Sequence, residues 1–199
     1  VSLLGAEVEG AVQVSGETVR FRADRVDLQD GALVLTDYKT GRPFSAAARE
    51  DTRRKHFLQK VGQGELLQGV AYALAAGEEG DLGRYLYLAP ETERESLEVL
   101  APASDPELAS TFERVLAGLL ELREAGSFVP RLLDAKGDNE PRSCGFCEVS
   151  AVCVRGDSGA RRRLHEWLEG GAPGTRAEQS VRSVWDVWRQ FASVSTGKA

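Results

Sequence analysis

Methionine is absent from this chain of 199 residues, and cysteine and histidine are scarce, with three and two residues respectively. The odd number of cysteines and the otherwise intracellular type of composition argue against a secreted scaffold held together by disulfides. The sequence contains no apolar run near the ~20 residues that a membrane-spanning helix needs, and no signal-like segment. We therefore expect a cytoplasmic protein without a membrane partner.

The chain also lacks a general excess of positive charge, since 25 Lys and Arg against 31 Asp and Glu leave a net charge of −6. Affinity for nucleic-acid phosphates comes from Lys and Arg, so this balance argues against a generally basic nucleic-acid binder. A local basic group after residue 41 is the exception, and we predict that it follows DNA phosphates; an ordinary solvated face is the alternative. The predicted DNA-binding residues are Arg49, Arg53, Arg54, Lys55 and Lys60.

Two acidic motifs stand on adjacent predicted strands. Residues 17–27 alternate between apolar and polar side chains, and Asp30-Gly31 precedes the apolar run 32–35. This pattern predicts two antiparallel strands joined by a tight turn. Side chains two apart on a strand share a face, so Asp37 and Lys39 are expected to point the same way, with Asp24 beside them across the hairpin.

Such a pair of carboxylates favours a metal site. Clustered carboxylates repel each other, and a hard divalent cation with oxygen ligands relieves the repulsion. Magnesium is the expected ion. It would polarise a phosphate oxygen and lower the pKa of a water, while Lys39 stabilises charge on the phosphate or orients the nucleophile. Solvated strand-end carboxylates at Asp24 and Asp37, with a surface ion pair between Arg25 and Asp27, are the alternative.

The order and spacing of three motifs resemble the RecB-like branch of the PD-(D/E)xK nucleases. That family has an Asp in a Gly-x-Ile-Asp-Arg-Val-Asp strand, then an Asp-Tyr-Lys-Thr-Gly strand, then a helix with Gln-x-x-x-Tyr. The corresponding segments here are 21–27, 37–41 and 68–72. Phe21 and Ala23 replace the Gly and Ile that the family often has, and neither position is a metal ligand.

The resemblance implies a deoxyribonuclease that depends on Mg²⁺ or Mn²⁺. Its implied metal ligands are Asp24, Asp37 and the carbonyl of Tyr38, with Lys39 as charge stabiliser. Gln68 and Tyr72 would line the cleft and contact the DNA backbone or an active-site water. Taken by their spacing alone, Gln68 and Tyr72 share one helix face and equally fit the edge of an amphipathic helix.

The three cysteines form one motif, Cys144, Cys147 and Cys153, with C-x-x-C-x5-C spacing. Structural zinc and iron–sulfur clusters each want four ligands. In the RecB-like subset that includes AddB-type helicase–nucleases, such a trio joins an upstream cysteine to hold a 4Fe-4S cluster. The resemblance implies this cluster for a longer parent, incomplete in this chain. Three small side chains buried in a knuckle are the alternative.

The chain begins at Val1 and enters a predicted strand over 6–14 almost at once. We expect an excised piece of a larger helicase–nuclease, with the family's first core helix and fourth cysteine upstream of residue 1. A helicase domain or subunit is the expected partner, besides DNA.

The remaining pattern predicts a helix over 61–76 ended by Gly77, strands over 84–88 and 96–100, and a helix capped by Asp105. A loop over 128–141 and a terminal helix over 176–191 follow. The predicted fold is α/β, a PD-(D/E)xK restriction-endonuclease-like core with a central mixed β-sheet flanked by helices, a cysteine knuckle and a helical tail. We expect a nuclease domain over 1–155 and a helical extension over 156–199.

The predicted function is metal-dependent hydrolysis of DNA phosphodiesters by an exonuclease that acts in DNA repair or recombination. A catalytically silent module that binds DNA or serves as a scaffold is one alternative. A related hydrolase that acts on RNA is the other.

Overall fold

The computed structural model describes residues 1–89, 97–127, 142–153, 157–171, 173–174 and 178–195. The chain divides into two compact units, Val1–Ala117 with Val194–Ala199, and Gly118–Ser193. The loop predicted over 128–141 lies outside the described residues. The predicted division at residue 155 stays a prediction.

A five-stranded sheet in the order β1-β2-β3-β4-β5 forms the first unit. Neighbouring strands run antiparallel except β3 and β4, which are parallel. A parallel pair needs a crossover connection, and two helices, α1 and α2, supply it. The strands are β1 (Ser2–Val14), β2 (Glu17–Gln29), β3 (Ala32–Lys39), β4 (Leu82–Tyr87) and β5 (Glu98–Pro102), and the helices are α1 (Glu50–Gly62) and α2 (Leu67–Ala76). The predicted α/β fold with a central mixed sheet flanked by helices is confirmed.

The β2–β3 hairpin has the predicted Asp-Gly turn. Asp30 and Gly31 both take positive φ, at 52° and 90°, as the two central residues of a type I′ turn require. The ladder above the turn pairs Val26 with Leu35 and Arg25 with Thr36. The turn therefore sets the register that brings the two acidic motifs side by side.

Helix α2 covers the centre of this hairpin. Tyr72 is fully buried and packs in a cluster with Ala23, Val26 and Leu35, and the ring of Phe21 lies 4.8 Å from its ring. Apolar burial on one sheet face thus places α2 over the strands that carry the acidic motifs.

The prediction of a single helix over 61–76 is wrong for the first part of that range. Helix α1 ends at Gly62 and α2 begins only at Leu67. Between them Gly64 and Leu66 take φ of +76° and +52°, in the left-handed region that breaks a right-handed helix. Gly77 ends α2 with φ +81°, as predicted.

Asp105 caps the next helix, α3 (Pro106–Glu124), as predicted. Its Oδ1 accepts the backbone N–H groups of Glu107 and Leu108 at 3.0 and 3.1 Å. The remaining elements are α4 (Arg142–Gly145), a 3₁₀ turn (Ser150–Val152), α5 (Ser158–Glu169) and α6 (Gln179–Ser195). None of the helices in the described ranges is long and apolar enough to cross a membrane.

Candidate functional site

Asp24 is tied directly to the strand that carries Asp37. The last pair of the β2–β3 ladder is Arg25 with Thr36, and the next positions along the two strands are Asp24 and Asp37. The backbone N–H of Tyr38 donates to Asp24 Oδ2 at 2.8 Å. The structure therefore brings Asp24 beside Asp37, as the hairpin pattern predicted.

Asp37 and Lys39 share one face of β3, also as predicted. Lys39 Nζ lies 2.7 Å from Asp37 Oδ2. This contact is an ion pair, and the buried oxygen accepts no hydrogen bond from the described residues. The ammonium offsets the charge of Asp37, while the lack of an aligned hydrogen bond from the described residues leaves Oδ2 able to coordinate a metal ion.

The Lys39 ammonium has two further neighbours. Nζ donates to Gln68 Oε1 at 3.1 Å, which joins β3 to the first turn of α2. It also lies 5.5 Å from the ring centroid of Tyr85, within the range of a cation–π contact. A carboxylate, an amide and an aromatic ring thus surround the ammonium.

The Tyr72 side chain is packed in the core below the acidic residues and is not exposed at the surface of the site. Its side chain is fully buried, and its hydroxyl donates to the carbonyl of Arg22 at 2.9 Å. Burial, together with the negative charges of Asp37 and Asp24, raises the pKa of Tyr72, so the phenol stays protonated. This placement gives no support to the predicted direct contact with DNA or water; instead Tyr72 fastens α2 to β2 close to Asp24.

The residues present fit a divalent metal. Among the described residues, Asp37 Oδ2 is paired with the Lys39 ammonium but accepts no hydrogen bond, and Asp24 accepts the N–H of Tyr38 through Oδ2 alone. Within the described ranges, no three His, Cys, Asp or Glu side chains are grouped to hold a metal ion. Mg²⁺ is commonly bound by one or two carboxylates and completed by water and substrate phosphates, so the two carboxylates suffice. The Tyr38 carbonyl stays a predicted ligand.

Asp27 lies in a separate charged network. Its carboxylate is buried and accepts three hydrogen bonds from Arg25, at 2.8 to 2.9 Å, and one from Arg84 at 3.4 Å. The hydrogen bonds from Arg25 hold the pKa of Asp27 below its usual value. The alternative of a surface ion pair is wrong for Asp27, since its carboxylate is buried; this network is structural.

Most of the predicted DNA-binding residues form hydrogen bonds or ion pairs with other residues of the chain. Arg53 donates to the carbonyls of Ala47 and Ala48. The remaining ion pairs join Arg54 to Asp105 and Glu107, Lys60 to Glu65, and Arg49 to Asp51 at 3.7 Å. Lys55 is exposed and has no partner among the described residues. Of the five, Lys55 is the side chain most readily offered to a phosphate.

Cys144 lies in α4, Cys147 lies two residues after that helix, and Cys153 directly follows the 3₁₀ turn. Cys144, Cys147 and Cys153 are all partly exposed, and none is in a disulfide. The N–H of Cys147 donates to the carbonyl of Cys144, so the first two lie on one turn. Three thiols fall short of the four ligands that a cluster wants, and the described side chains supply no metal group here. The alternative of three buried side chains is wrong, because all three are partly exposed.

Sequence reasoning missed Tyr85, which pairs with Asp37 in the β3–β4 register. Its side chain is fully buried, and its hydroxyl accepts the backbone N–H of Gly69 at 2.7 Å. Nothing in the alternating pattern of β4 marks this residue. The only available signal was the presence of Gly69 inside a helix and Gly83 inside a strand, positions where glycine points to a close approach of two backbones.

Comparison with known proteins places this geometry in a family. The family model of the PD-(D/E)XK nuclease superfamily matches residues 3–154. Among solved structures, the crystal structure of SSO0001 is similar at 21% identity with a TM-score of 0.39, over 75% of this chain and 59% of that one. No curated protein matches the chain.

Proposed function

The chain belongs to the PD-(D/E)XK nuclease superfamily, and we propose that it hydrolyses DNA phosphodiester bonds in a metal-dependent reaction at Asp24, Asp37 and Lys39. The observation that carries the proposal is the placement of Asp24 beside the buried Asp37, with Lys39 Nζ 2.7 Å from Asp37 Oδ2. Two adjacent carboxylates can bind a divalent cation, and the lysine beside them can stabilise charge on a phosphate.

The proposed metal ligands are the carboxylates of Asp24 and Asp37 and the carbonyl of Tyr38. A bound Mg²⁺ or Mn²⁺ would supply Lewis-acid polarisation of a phosphate oxygen and lower the pKa of a coordinated water. Asp24 is held for this role by the N–H of Tyr38, which keeps its carboxylate fixed against β3. Preorganised ligands of this kind need no rearrangement when the substrate arrives.

Lys39 has a separate part in the proposed reaction. Its ammonium stabilises negative charge that develops on the attacked phosphate, or orients the attacking water. The hydrogen bond from Lys39 Nζ to Gln68 Oε1 restricts the rotamers of the lysine side chain, so the positive charge of the ammonium keeps one position in the site. Gln68 is exposed and is the helix residue that we propose to contact the DNA backbone or water.

We assign the chain further to the RecB-like branch. In support, the three motifs of that branch meet at one place, through the contacts of Tyr38 with Asp24, of Lys39 with Gln68 and of Tyr72 with Arg22. With this assignment we also propose exonuclease activity, a role in DNA repair or recombination, and a helicase partner of the AddB type.

The cluster is a proposal for a longer parent protein, and no step of the proposed chemistry involves it. Iron and sulfide in the anaerobically purified parent, with broad visible absorbance, would support it. Colourless parent protein without iron would count against it.

The test of the proposed function is digestion of end-labelled single-stranded DNA, duplex DNA and RNA by the purified chain, with Mg²⁺, with Mn²⁺ and with a chelator. We expect cleavage of DNA that needs a metal and is lost in Asp37→Ala. Binding of DNA without cleavage under every condition would instead favour the silent module, and preferential cleavage of RNA would favour the related hydrolase.

The matched control is Asp30→Asn. Asp30 is an exposed carboxylate at the far end of the same hairpin, and Asn-Gly suits its type I′ turn equally well. This variant loses one carboxylate of β2–β3 outside the site, so it should cleave like the wild type. Equal loss of cleavage in both variants would show that Asp37 has no special role.

A further inference from the structure

Tyr85 connects the Lys39 ammonium to the first turn of helix α2, and nothing in the motifs assigns it a part. Tyr85 stands on β4 directly beside Asp37, and Tyr87 stands beside Lys39. In parallel strands, residues paired in this way share a sheet face. The buried ring of Tyr85 therefore lies under the part of β3 that carries the site.

The ring of Tyr85 touches the lysine from one side and is supported from another. Lys39 Nζ lies 5.5 Å from its centroid, and the ring of Phe57 on α1 meets it edge to face at 6.1 Å. Because buried side chains pack in single rotamers, the Tyr85 ring between Phe57 and Lys39 has one orientation. The negative face of the ring is thereby kept toward the ammonium.

The hydroxyl of Tyr85 makes the second connection. It accepts the N–H of Gly69 at 2.7 Å in a buried setting. The residue before Gly69 is Gln68, whose Oε1 accepts from Lys39 Nζ. Tyr85 thus acts on the Lys39 ammonium in two ways: its ring contacts the ammonium directly, and its hydroxyl holds the helix turn whose Gln68 accepts a hydrogen bond from it.

Two glycines let the helix come this close. A Cβ on Gly69 would meet the Tyr85 ring at 2.7 Å, and a Cβ on Gly83 would collide with the carbonyl group of Gly69. The first turn of α2 can lie against β4 only because both side chains are absent. This tight approach lies at the end of α2 that bears Gln68.

We propose that Tyr85 is a positioning residue for Lys39, with its ring fixing the ammonium directly and its hydroxyl fixing it through Gly69 and Gln68. This inference rests on the proposed function for its catalytic consequence but not for its geometry. Loss of the hydroxyl would leave the N–H of Gly69 buried without a partner and loosen Gln68. Loss of the ring would remove both connections.

The experiment compares Tyr85→Phe, which keeps the ring, with Tyr85→Leu, which removes it. The control is Tyr87→Phe, a second buried tyrosine two residues along the same strand.

The first readout is the NMR signal of the Lys39 side chain, which lies near an aromatic face. The chain has five lysines, and Lys39→Arg identifies the signal by difference. We expect the ring-induced shift to persist in Tyr85→Phe and Tyr87→Phe and to vanish in Tyr85→Leu. An unchanged Lys39 signal in folded Tyr85→Leu would overturn the proposal.

The second readout is steady-state cleavage. Tyr85→Phe should lower kcat by about ten- to a hundredfold, because small displacements of a catalytic group have effects of this size, with KM for DNA nearly unchanged. Tyr87→Phe should have a smaller effect on kcat. Equal kcat in Tyr85→Phe and the wild type would contradict the link through Gly69 and Gln68. If the wild type does not cleave, the proposed function fails, while the NMR comparison still decides the position of Lys39.

Discussion

The backbone N–H of Tyr38 donates to Asp24 Oδ2 at 2.8 Å, so the first acidic motif is fixed to the residue that stands between Asp37 and Lys39. This hydrogen bond holds the Asp24 carboxylate against β3 through Oδ2 and leaves its other oxygen able to bind a metal ion. The register of the hairpin and this single contact together define the candidate metal site.

The first prediction follows from that contact. In Asp24→Asn the side-chain carbonyl can still accept the N–H of Tyr38, but the negative charge is lost. We expect the fold and melting temperature to change little and single-turnover cleavage to fall by about 100-fold or more, since ligand charge is needed to hold the metal. Cleavage close to the wild-type rate would remove Asp24 from the ligand set.

The second prediction concerns the buried network around Asp27. Its pKa is lowered by the hydrogen bonds from Arg25. A lowered folded-state pKa means that the stabilisation is complete above the unfolded value of about 3.9 and is lost as the pH falls through the folded value. Asp27→Asn should therefore reduce the free energy of unfolding by about 2 kcal/mol near neutral pH, with the difference shrinking in acid.

Urea unfolding of Asp27→Asn and the wild type across a pH series measures this effect. Asp30→Asn, at the exposed turn, is the control and should follow the wild type at every pH. A difference between Asp27→Asn and the wild type that is constant with pH, or grows in acid, would show that the ion pair does not stabilise the fold.

The third prediction separates two adjacent basic residues of α1. Lys55 is exposed without a partner among the described residues, whereas Arg54 is paired with Asp105 and Glu107. Lys55→Ala should lower the slope of log affinity against log salt by about 0.9 on duplex DNA, with stability unchanged. Arg54→Ala should lower stability with little change in slope.

Fluorescence anisotropy with labelled DNA in chelator, at several salt concentrations, gives the slopes without cleavage, and thermal unfolding gives the stabilities. If Arg54→Ala changes the slope and Lys55→Ala does not, the basic group faces DNA through the paired arginine, and the reasoning from ion pairs is wrong.

The fourth prediction tests the close approach of α2 to β4. A methyl group on Gly83 would collide with the backbone of Gly69, which cannot yield as a flexible side chain can. Gly83→Ala should destabilise the protein by about 1–3 kcal/mol, as overpacking does. Gly174→Ala is the control, since no heavy atom of the described residues lies within 4 Å of the added methyl, and its free energy of unfolding should equal that of the wild type.

Local chemistry made part of the structure predictable. Asp30-Gly31 specifies a type I′ turn because both residues tolerate positive φ, and Asp105 specifies a helix start because its carboxylate accepts two backbone N–H groups. Both features depend only on residues close in sequence, and both were predicted correctly. The acidic motifs came together because the turn fixes the register.

Features set by distant residues were not predictable in this way. The break between α1 and α2 includes Gly64 and also Leu66, which takes a left-handed φ that its residue type does not suggest. The burial of Tyr72 and the part of Tyr85 arise from packing between α2 and strands far away in sequence. A helical spacing of four residues shows that Gln68 and Tyr72 share a face, but not that one is exposed and the other buried.

The central claim is that Asp37 holds a metal ion that cleavage needs. The most direct measurement is a Mn²⁺ titration of the wild type, Asp37→Asn and Asp30→Asn by electron paramagnetic resonance, with DNA cleavage measured on the same samples. We predict that Asp37→Asn loses both metal binding and cleavage, while Asp30→Asn keeps both. Undiminished Mn²⁺ binding and cleavage in folded Asp37→Asn would contradict it.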